Sequence, residues 1–121
     1  MNKLLDKKLF HNPRCSKSRQ ALALLEEHKV EFEVFFYLKE ELNSAIIKEL
    51  LSKLNLAPRD LLRKSEQAYK NLNLSDINIS DEKIIDAMIN YPKLIERPVF
   101  INKKKAIIGR PPEEVLKILW L

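Results

Sequence analysis

The chain has 121 residues, of which 45% are hydrophobic and 32% charged, and its formal net charge is +5. This composition is typical of one globular domain long enough to bury a core. It excludes a membrane span, because no apolar run approaches the ~20 residues that a span needs. The charged first eight residues do not predict a signal peptide. The sixteen lysines are dispersed among acidic residues, so neither nucleic acid nor a membrane is an expected partner.

Cysteine and glycine each occur once, as Cys15 and Gly109. A single cysteine excludes an internal disulfide, so we expect a reducing, cytoplasmic location. Phosphate-binding loops of the P-loop and dinucleotide types need several glycines, and the composition therefore excludes both. We expect no bound nucleotide cofactor.

The first 40 residues carry the pattern of a βαβ unit. Residues 7–10 are a short predicted strand, which Asn12-Pro13 breaks. A helix is expected over 16–28, because its apolar residues fall on one face. Residues 32–37 are rich in aromatic and β-branched side chains, which predicts a second, buried strand.

The middle of the chain, about 40–92, predicts helices only. Asn43 or Ser44 can cap a first helix that carries a regular apolar stripe. A short second helix is expected over 59–66, and Ser80 can cap a third. We therefore interpret this segment as an all-helical insertion.

Strand patterns return at 99–101 and 106–108, with a plausible hairpin turn between them. Residues 111–114, Pro-Pro-Glu-Glu, then predict the start of a closing helix. The assembled order is βαβ, a helical insertion, then ββα. That order predicts an α/β protein of the thioredoxin-like fold, with a mixed four-stranded sheet.

We expect a single domain spanning residues 1–121. Its thioredoxin-like core is predicted over about 1–39 and 93–121, and its helical insertion over about 40–92. In this fold the loop before the third strand commonly carries a cis proline, and Pro98 is the candidate here.

The lone cysteine lies where the first strand passes into the first helix. Cys15 is predicted at or near the N-cap of that helix, where unpaired backbone N–H groups and the helix dipole stabilise a thiolate. The same groups bind oxyanions. A buried, inert thiol is the alternative for a free cysteine. We interpret Cys15 as a nucleophile.

Two polar neighbours can support this thiol. Ser18 stands where a Cys-x-x-Cys motif has its second cysteine, so an oxidised Cys15 needs an outside thiol, such as glutathione or a glutaredoxin. The Ser18 hydroxyl can donate to the thiolate or be simply an early helix residue. His11 can carry a proton, orient the loop or only pack against the turn.

Three arginines stand out among six. Arg97 precedes Pro98 at a strand start, Arg110 follows Gly109 at a strand end, and Arg63 lies in the helical insertion. A guanidinium binds a tetrahedral oxyanion through two parallel hydrogen bonds, which lysine does poorly. Structural salt bridges to acidic residues are the alternative. The expected fold places Arg97 near the first helix N-terminus.

Four segments, in order over nearly the whole chain, resemble the glutaredoxin-coupled arsenate reductases. They are His11-Asn12-Pro13-x-Cys15-x-x-Ser18-Arg19, Leu61-Leu62-Arg63-Lys64, Arg97-Pro98-Val99 and Gly109-Arg110-Pro111. The resemblance implies a thioredoxin-like fold with a helical insertion. It also implies Cys15 as the catalytic nucleophile and Arg63, Arg97 and Arg110 as the arginines that bind the oxyanion.

The activity that the resemblance implies is the reduction of arsenate to arsenite, and with it arsenical resistance. The partners would be arsenate or a similar oxyanion, glutathione as co-substrate and a glutaredoxin, with no metal and no bound cofactor. The chain departs from many members at Ser16-Lys17, where they carry Gly-Thr. Two alternatives stay open: a glutathione-dependent thiol reductase acting on another substrate, and an Spx-type transcription regulator that binds RNA polymerase.

Overall fold

The computed structural model of the chain describes residues 7–120. The strands are β1 (Lys7–Phe10), β2 (Glu33–Phe35), β3 (Val99–Asn102) and β4 (Lys105–Ile108). The α-helices are α1 (Ser16–Glu27), α2 (Ser44–Leu54), α3 (Gln67–Asn71) and α4 (Asp81–Asn90), and 3-10 helices cover Pro58–Leu61, Pro92–Leu94 and Pro112–Ile118. The parts of the predicted core at 1–6 and at 121 lie outside the described residues.

The described chain forms two compact units, one reaching up to Glu40 and resuming at Arg97, the other comprising Glu41–Glu96. The first unit holds a four-stranded sheet in the order β2-β1-β3-β4. Strand β1 is parallel to β2 and antiparallel to β3, which is antiparallel to β4. This mixed sheet confirms the predicted α/β, thioredoxin-like fold.

One face of this sheet is covered by α1 and the closing 3-10 helix. Leu9 and Phe100, which lie opposite each other on β1 and β3, pack there with other buried apolar side chains. The full buried cluster is Leu9, Ala21, Leu25, Phe100, Val115 and Leu119. Burial of a large apolar side chain is worth about 1.5–3 kcal/mol, so this cluster fixes where α1 begins relative to the sheet.

The second unit is built on α2 and α4, and both helices have the caps that the sequence predicts. The Asn43 side chain accepts a hydrogen bond from the Ile46 N–H at 2.9 Å. The Ser80 hydroxyl oxygen accepts one from the Lys83 N–H at 3.3 Å. Each side chain satisfies a backbone donor that the first helical turn cannot.

The predicted helix over 59–66 is wrong. A 3-10 helix ends at Leu61, Leu62 takes an extended conformation, and α3 begins only at Gln67. Leu62 forms an antiparallel bridge with Ile95. A backbone that pairs with a distant segment cannot also make helical hydrogen bonds, and helix propensity carries no signal of that competition.

Two further boundaries differ from the predictions. Strand β2 is shorter than the expected 32–37, and the closing helix is a 3-10 helix, Pro112–Ile118. The buried Asn102 side chain donates to the carbonyls of Ile118 and Leu119, at 2.8 and 3.1 Å, and so ties the end of that helix to β3. No helix within residues 7–120 is long and apolar enough to cross a membrane.

Candidate active site

Cys15 is the N-cap residue of α1, as the sequence predicts. Its backbone is extended, with φ −95° and ψ 122°, and its carbonyl accepts from the Arg19 N–H at 3.0 Å. Its own N–H donates to the Asn12 carbonyl at 3.0 Å. The thiol is partly exposed. It therefore stands at the helix end where backbone N–H groups point outward, and a reagent from solvent can reach it.

The surroundings of Cys15 favour the thiolate. Burial raises the pKa of the thiol, but the Ser18 N–H, the Arg97 guanidinium and the Lys17 N–H all stabilise the thiolate, and the pKa is lowered overall. The two backbone donors belong to the first turn of α1, and the guanidinium contributes both a hydrogen bond and its charge. A thiol whose pKa is lowered in this way holds more of the nucleophilic thiolate at a given pH than a free cysteine does.

The Ser18 hydroxyl, for which the sequence left both donation to the thiolate and a plain helical position open, bonds to the turn that precedes Cys15. Ser18 is fully buried, and its Oγ lies 2.7 Å from Nδ1 of His11 and accepts from the Asn12 N–H at 3.0 Å. The group that reaches the thiol is the Ser18 backbone N–H. The side chain therefore closes the turn that presents Cys15, because both of its partners lie before the cysteine in the chain.

His11 is buried between this turn and the ring of Phe36, whose centroid lies 5.8 Å away. Burial and then the charge of Arg19 lower the pKa of His11, against a smaller raising effect of Glu26. The surroundings of His11 thus favour the neutral imidazole. A neutral ring hydrogen-bonded to the Ser18 hydroxyl can hold the loop that carries Cys15 in place, which is one of the roles expected for His11.

Asn12 and Arg19 complete the turn, and the sequence reasoning missed both contributions. The Asn12 side chain accepts from the Arg14 N–H at 3.0 Å, and Arg19 donates to the Pro13 carbonyl at 2.9 Å. An asparagine before a proline is a common turn signal, so the first contact had a local signature. The contact between Arg19 and Pro13 joins residues six positions apart and has no local sequence signature.

Arg97 and Arg110 lie together in the first unit. Arg97 is buried, and its guanidinium contacts Cys15. Arg110 is exposed, and its Nη1 donates to the Arg97 carbonyl at 3.1 Å. Both arginines precede a cis proline, Pro98 and Pro111. Arg97 therefore lies near the N-terminus of α1, as expected, and Arg110 is hydrogen-bonded to the Arg97 backbone.

Arg63 belongs to the other compact unit, Glu41–Glu96. Its described ion pairs are with Glu66 and Glu96 of that unit. Its predicted place beside Cys15 stays a prediction. Within residues 7–120, no three side chains of histidine, cysteine, aspartate or glutamate converge as a metal site would require.

The sequence pattern of the ArsC family matches residues 10–118, which is nearly the whole described chain. The chain belongs to the ArsC family. This membership confirms the family resemblance carried by the four sequence segments.

Relatives within the family share most of their length with this chain. An uncharacterized protein of Escherichia coli, YfgD, is 50% identical over 93% of this chain and 95% of its own. An arsenate reductase of Neisseria meningitidis is 41% identical, over 93% and 97%. One of Haemophilus influenzae is 40% identical, over 92% and 97%.

Solved structures of ArsC-type proteins have the same fold. An arsenate reductase from Vibrio cholerae superposes with a TM-score of 0.91 at 42% identity, covering 97% of this chain and 100% of its own. A putative arsenate reductase from Yersinia pestis superposes with a TM-score of 0.88 at 45% identity, covering 93% and 99%. The thioredoxin-like architecture of this chain is therefore that of its family.

Proposed function

We propose that this protein is an arsenate reductase that uses glutathione and a glutaredoxin. The observation that carries the proposal is the contact of the Cys15 thiol with the buried Arg97 guanidinium and two backbone N–H groups of α1. A nucleophile surrounded by donors of positive character suits attack on an anion. Relatives more than 40% identical over most of their length carry the name arsenate reductase, which supports the choice of anion.

In the first step the Cys15 thiolate attacks arsenate. A sulfur–arsenic bond forms, one arsenic–oxygen bond breaks, and the leaving oxygen departs as water after protonation. Arg97, Arg110 and Arg63 neutralise the oxyanion, and the N–H groups of α1 receive an oxygen of the crowded intermediate. No oxidation state changes in this step.

In the second step a glutathione thiolate attacks the Cys15 sulfur. The sulfur–arsenic bond breaks, its electron pair stays on arsenic, and arsenic leaves as arsenite in the +3 state. A disulfide between Cys15 and glutathione remains. Because Ser18 replaces a resolving cysteine, an external glutaredoxin thiolate then attacks the glutathione sulfur and releases the Cys15 thiolate. Because it depends on outside thiols, we expect the enzyme to act in the reducing cytoplasm.

The decisive assay measures arsenate reduction with glutathione, glutaredoxin and the full chain. Wild-type protein should turn over, and Cys15→Ser should lose turnover completely while remaining folded, as its circular dichroism spectrum would show. Lys104→Ala, in the exposed β3–β4 turn, serves as the control and should retain activity. Wild-type protein that fails to reduce millimolar arsenate contradicts the proposal. Reduction of glutathione mixed disulfides in its place would favour the thiol reductase.

A further inference from the structure

Arg63 is carried on a buried backbone bridge inside the Glu41–Glu96 unit. Leu62 pairs with Ile95 in antiparallel fashion. The flanking Leu61 and Leu94 are fully buried, and Leu62 and Ile95 are at most 4% exposed. Four apolar side chains anchored in this way give the bridge little freedom.

The same bridge brings Arg63 and Glu96 side by side. The Arg63 N–H donates to the Leu94 carbonyl at 2.6 Å, and the Glu96 N–H donates to the Leu61 carbonyl at 2.9 Å. A local turn brings Glu66 close to Arg63, because the Glu66 N–H donates to the Arg63 carbonyl at 3.2 Å. One arginine and two glutamates therefore rest on a rigid backbone frame.

The two carboxylates contact different nitrogens of the guanidinium. Nε of Arg63 donates to Oε2 of Glu66 at 3.2 Å. Nη1 lies 3.8 Å from Oε1 of Glu96, which is an ion-pair distance but too long for a hydrogen bond. The Arg63 side chain is 25% exposed, so an anion from solvent can approach it.

These contacts leave one edge of the Arg63 guanidinium, the edge formed by Nη1 and Nη2, for a ligand. Among the described residues, the side-chain hydrogen bond of Arg63 uses Nε alone. The Nη1–Nη2 edge is the one that grips a tetrahedral oxyanion through two parallel bonds. Glu66 fixes the direction of that edge, whereas the Glu96 charge lies beside it and opposes an incoming anion.

We propose that Glu66 is a positioning residue for Arg63 and that Glu96 is a competing carboxylate that lowers the oxyanion affinity of Arg63. The inference rests on the proposed function, in which Arg63 binds the oxyanion. An anion that binds the Nη1–Nη2 edge replaces the Glu96 ion pair and keeps the Glu66 hydrogen bond. Glu96 thereby raises the oxyanion concentration at which Arg63 is half saturated.

The test titrates sulfate into the ¹⁵N-labelled full chain and follows the Nε–H resonance of Arg63, which Arg63→Lys identifies by its loss. Glu96→Gln should bind sulfate about two- to fivefold more tightly, because an ion pair that is still partly open to solvent has a small coupling. Glu66→Ala should bind it about two- to fivefold more weakly. Glu66→Gln should keep at least wild-type affinity, since its amide oxygen still accepts the Nε–H.

Glu49→Gln is the matched control, since Glu49 pairs with Lys53 on an exposed helix face of the same unit, and its sulfate affinity should equal wild type. The inference is overturned if Glu96→Gln does not bind sulfate more tightly or if Glu66→Ala does not bind it more weakly. It is also overturned if sulfate leaves the chemical shift of the Arg63 Nε–H unchanged. Absence of arsenate turnover with the expected sulfate affinities would instead remove the proposed function and leave the roles of both glutamates standing.

Discussion

At the scale of single residues, the thiol of Cys15 depends on groups from distant parts of the chain. The N–H groups of Ser18 and Lys17 come from its own helix, but the guanidinium comes from Arg97, just before β3. Cys15, Ser18 and Arg97 were visible as candidates in the sequence, whereas the contributions of Asn12 and Arg19 to the turn were not. The sequence left two roles open for the Ser18 hydroxyl, because a short spacing in sequence does not reveal which way a side chain turns.

The pKa of Cys15 should depend on Arg97. Replacing Arg97 with alanine removes a hydrogen bond and a positive charge from the thiolate, so the pKa of Cys15 should rise toward its ordinary value. The rate of alkylation by iodoacetamide, followed against pH, should then show a midpoint at higher pH, and the reaction near neutral pH should slow.

Arg14→Ala is the matched control for this experiment. Arg14 is adjacent to Cys15 in the chain but its side chain is exposed, and its replacement should move the midpoint much less. A wild-type midpoint at or above about 8.5, the value of a free thiol, would refute the lowered pKa. Equal midpoints in Arg97→Ala and Arg14→Ala would refute the assignment to Arg97.

At the scale of secondary-structure elements, the end of β4 is held against the start of β3 by an unusually close approach. The Gly109 N–H donates to the Pro98 carbonyl at 2.8 Å. A Cβ on Gly109 would lie 2.9 Å from both Pro98 Cγ and Val115 Cγ1. The only glycine in the chain therefore permits the contact that brings the loop of Arg110 to Arg97.

Gly109→Ala should destabilise the protein by about 1–3 kcal/mol, the usual cost of forcing a methyl group into a packed site. Urea unfolding measures this cost. The displaced loop carries Arg110, so KM for arsenate should also rise. Lys105→Ala, at an exposed position of the preceding strand β4, should change stability by less than about 0.5 kcal/mol. Equal stability of Gly109→Ala and wild type would show that the loop yields without cost.

Arg59 shows a second element-scale contact that the sequence did not reveal. Its guanidinium donates to the carbonyls of Leu74, Asp76 and Ile79, at 2.8, 2.6 and 2.8 Å. Three carbonyls of an irregular segment are thereby satisfied without regular structure. This side chain orders the approach to α4, a role for which no local pattern exists.

At the scale of the whole molecule, two lowered pKa values link stability to pH in the same direction. Folded Cys15 and folded His11 both hold their protons less tightly than in the unfolded chain. The unfolded state therefore binds more protons, and stability rises with pH across each titration. The His11 contribution is lost as pH falls below about 6.5, and the Cys15 contribution is complete only above about 8.5.

The stability difference between wild type and Cys15→Ser should therefore grow from about pH 6 to about pH 9. Urea unfolding under reducing conditions, repeated along this range, measures it, and subtraction removes all other titrating groups. Ser16→Ala, exposed in the first turn of α1, should show no such trend against wild type. A difference that is flat or falls with pH would contradict the stabilised thiolate.

The sequence by itself determined the order of the four strands around a helical insertion, the caps at Asn43 and Ser80, and the position of Cys15 at a helix N-terminus. These features follow from apolar periodicity, capping chemistry and turn residues, all of which act over a few neighbouring residues. Four short segments also resembled the family, and the match of the ArsC family to residues 10–118 confirmed that resemblance.

Only the tertiary structure decided which groups meet. It placed Arg97 on the thiol, turned Ser18 toward His11, and paired Leu62 with Ile95 where a helix was expected. Each of these contacts joins segments whose approach depends on the packing of the whole unit. Local propensity is worth less than about 1 kcal/mol per residue, so buried packing and backbone pairing override it where the two disagree.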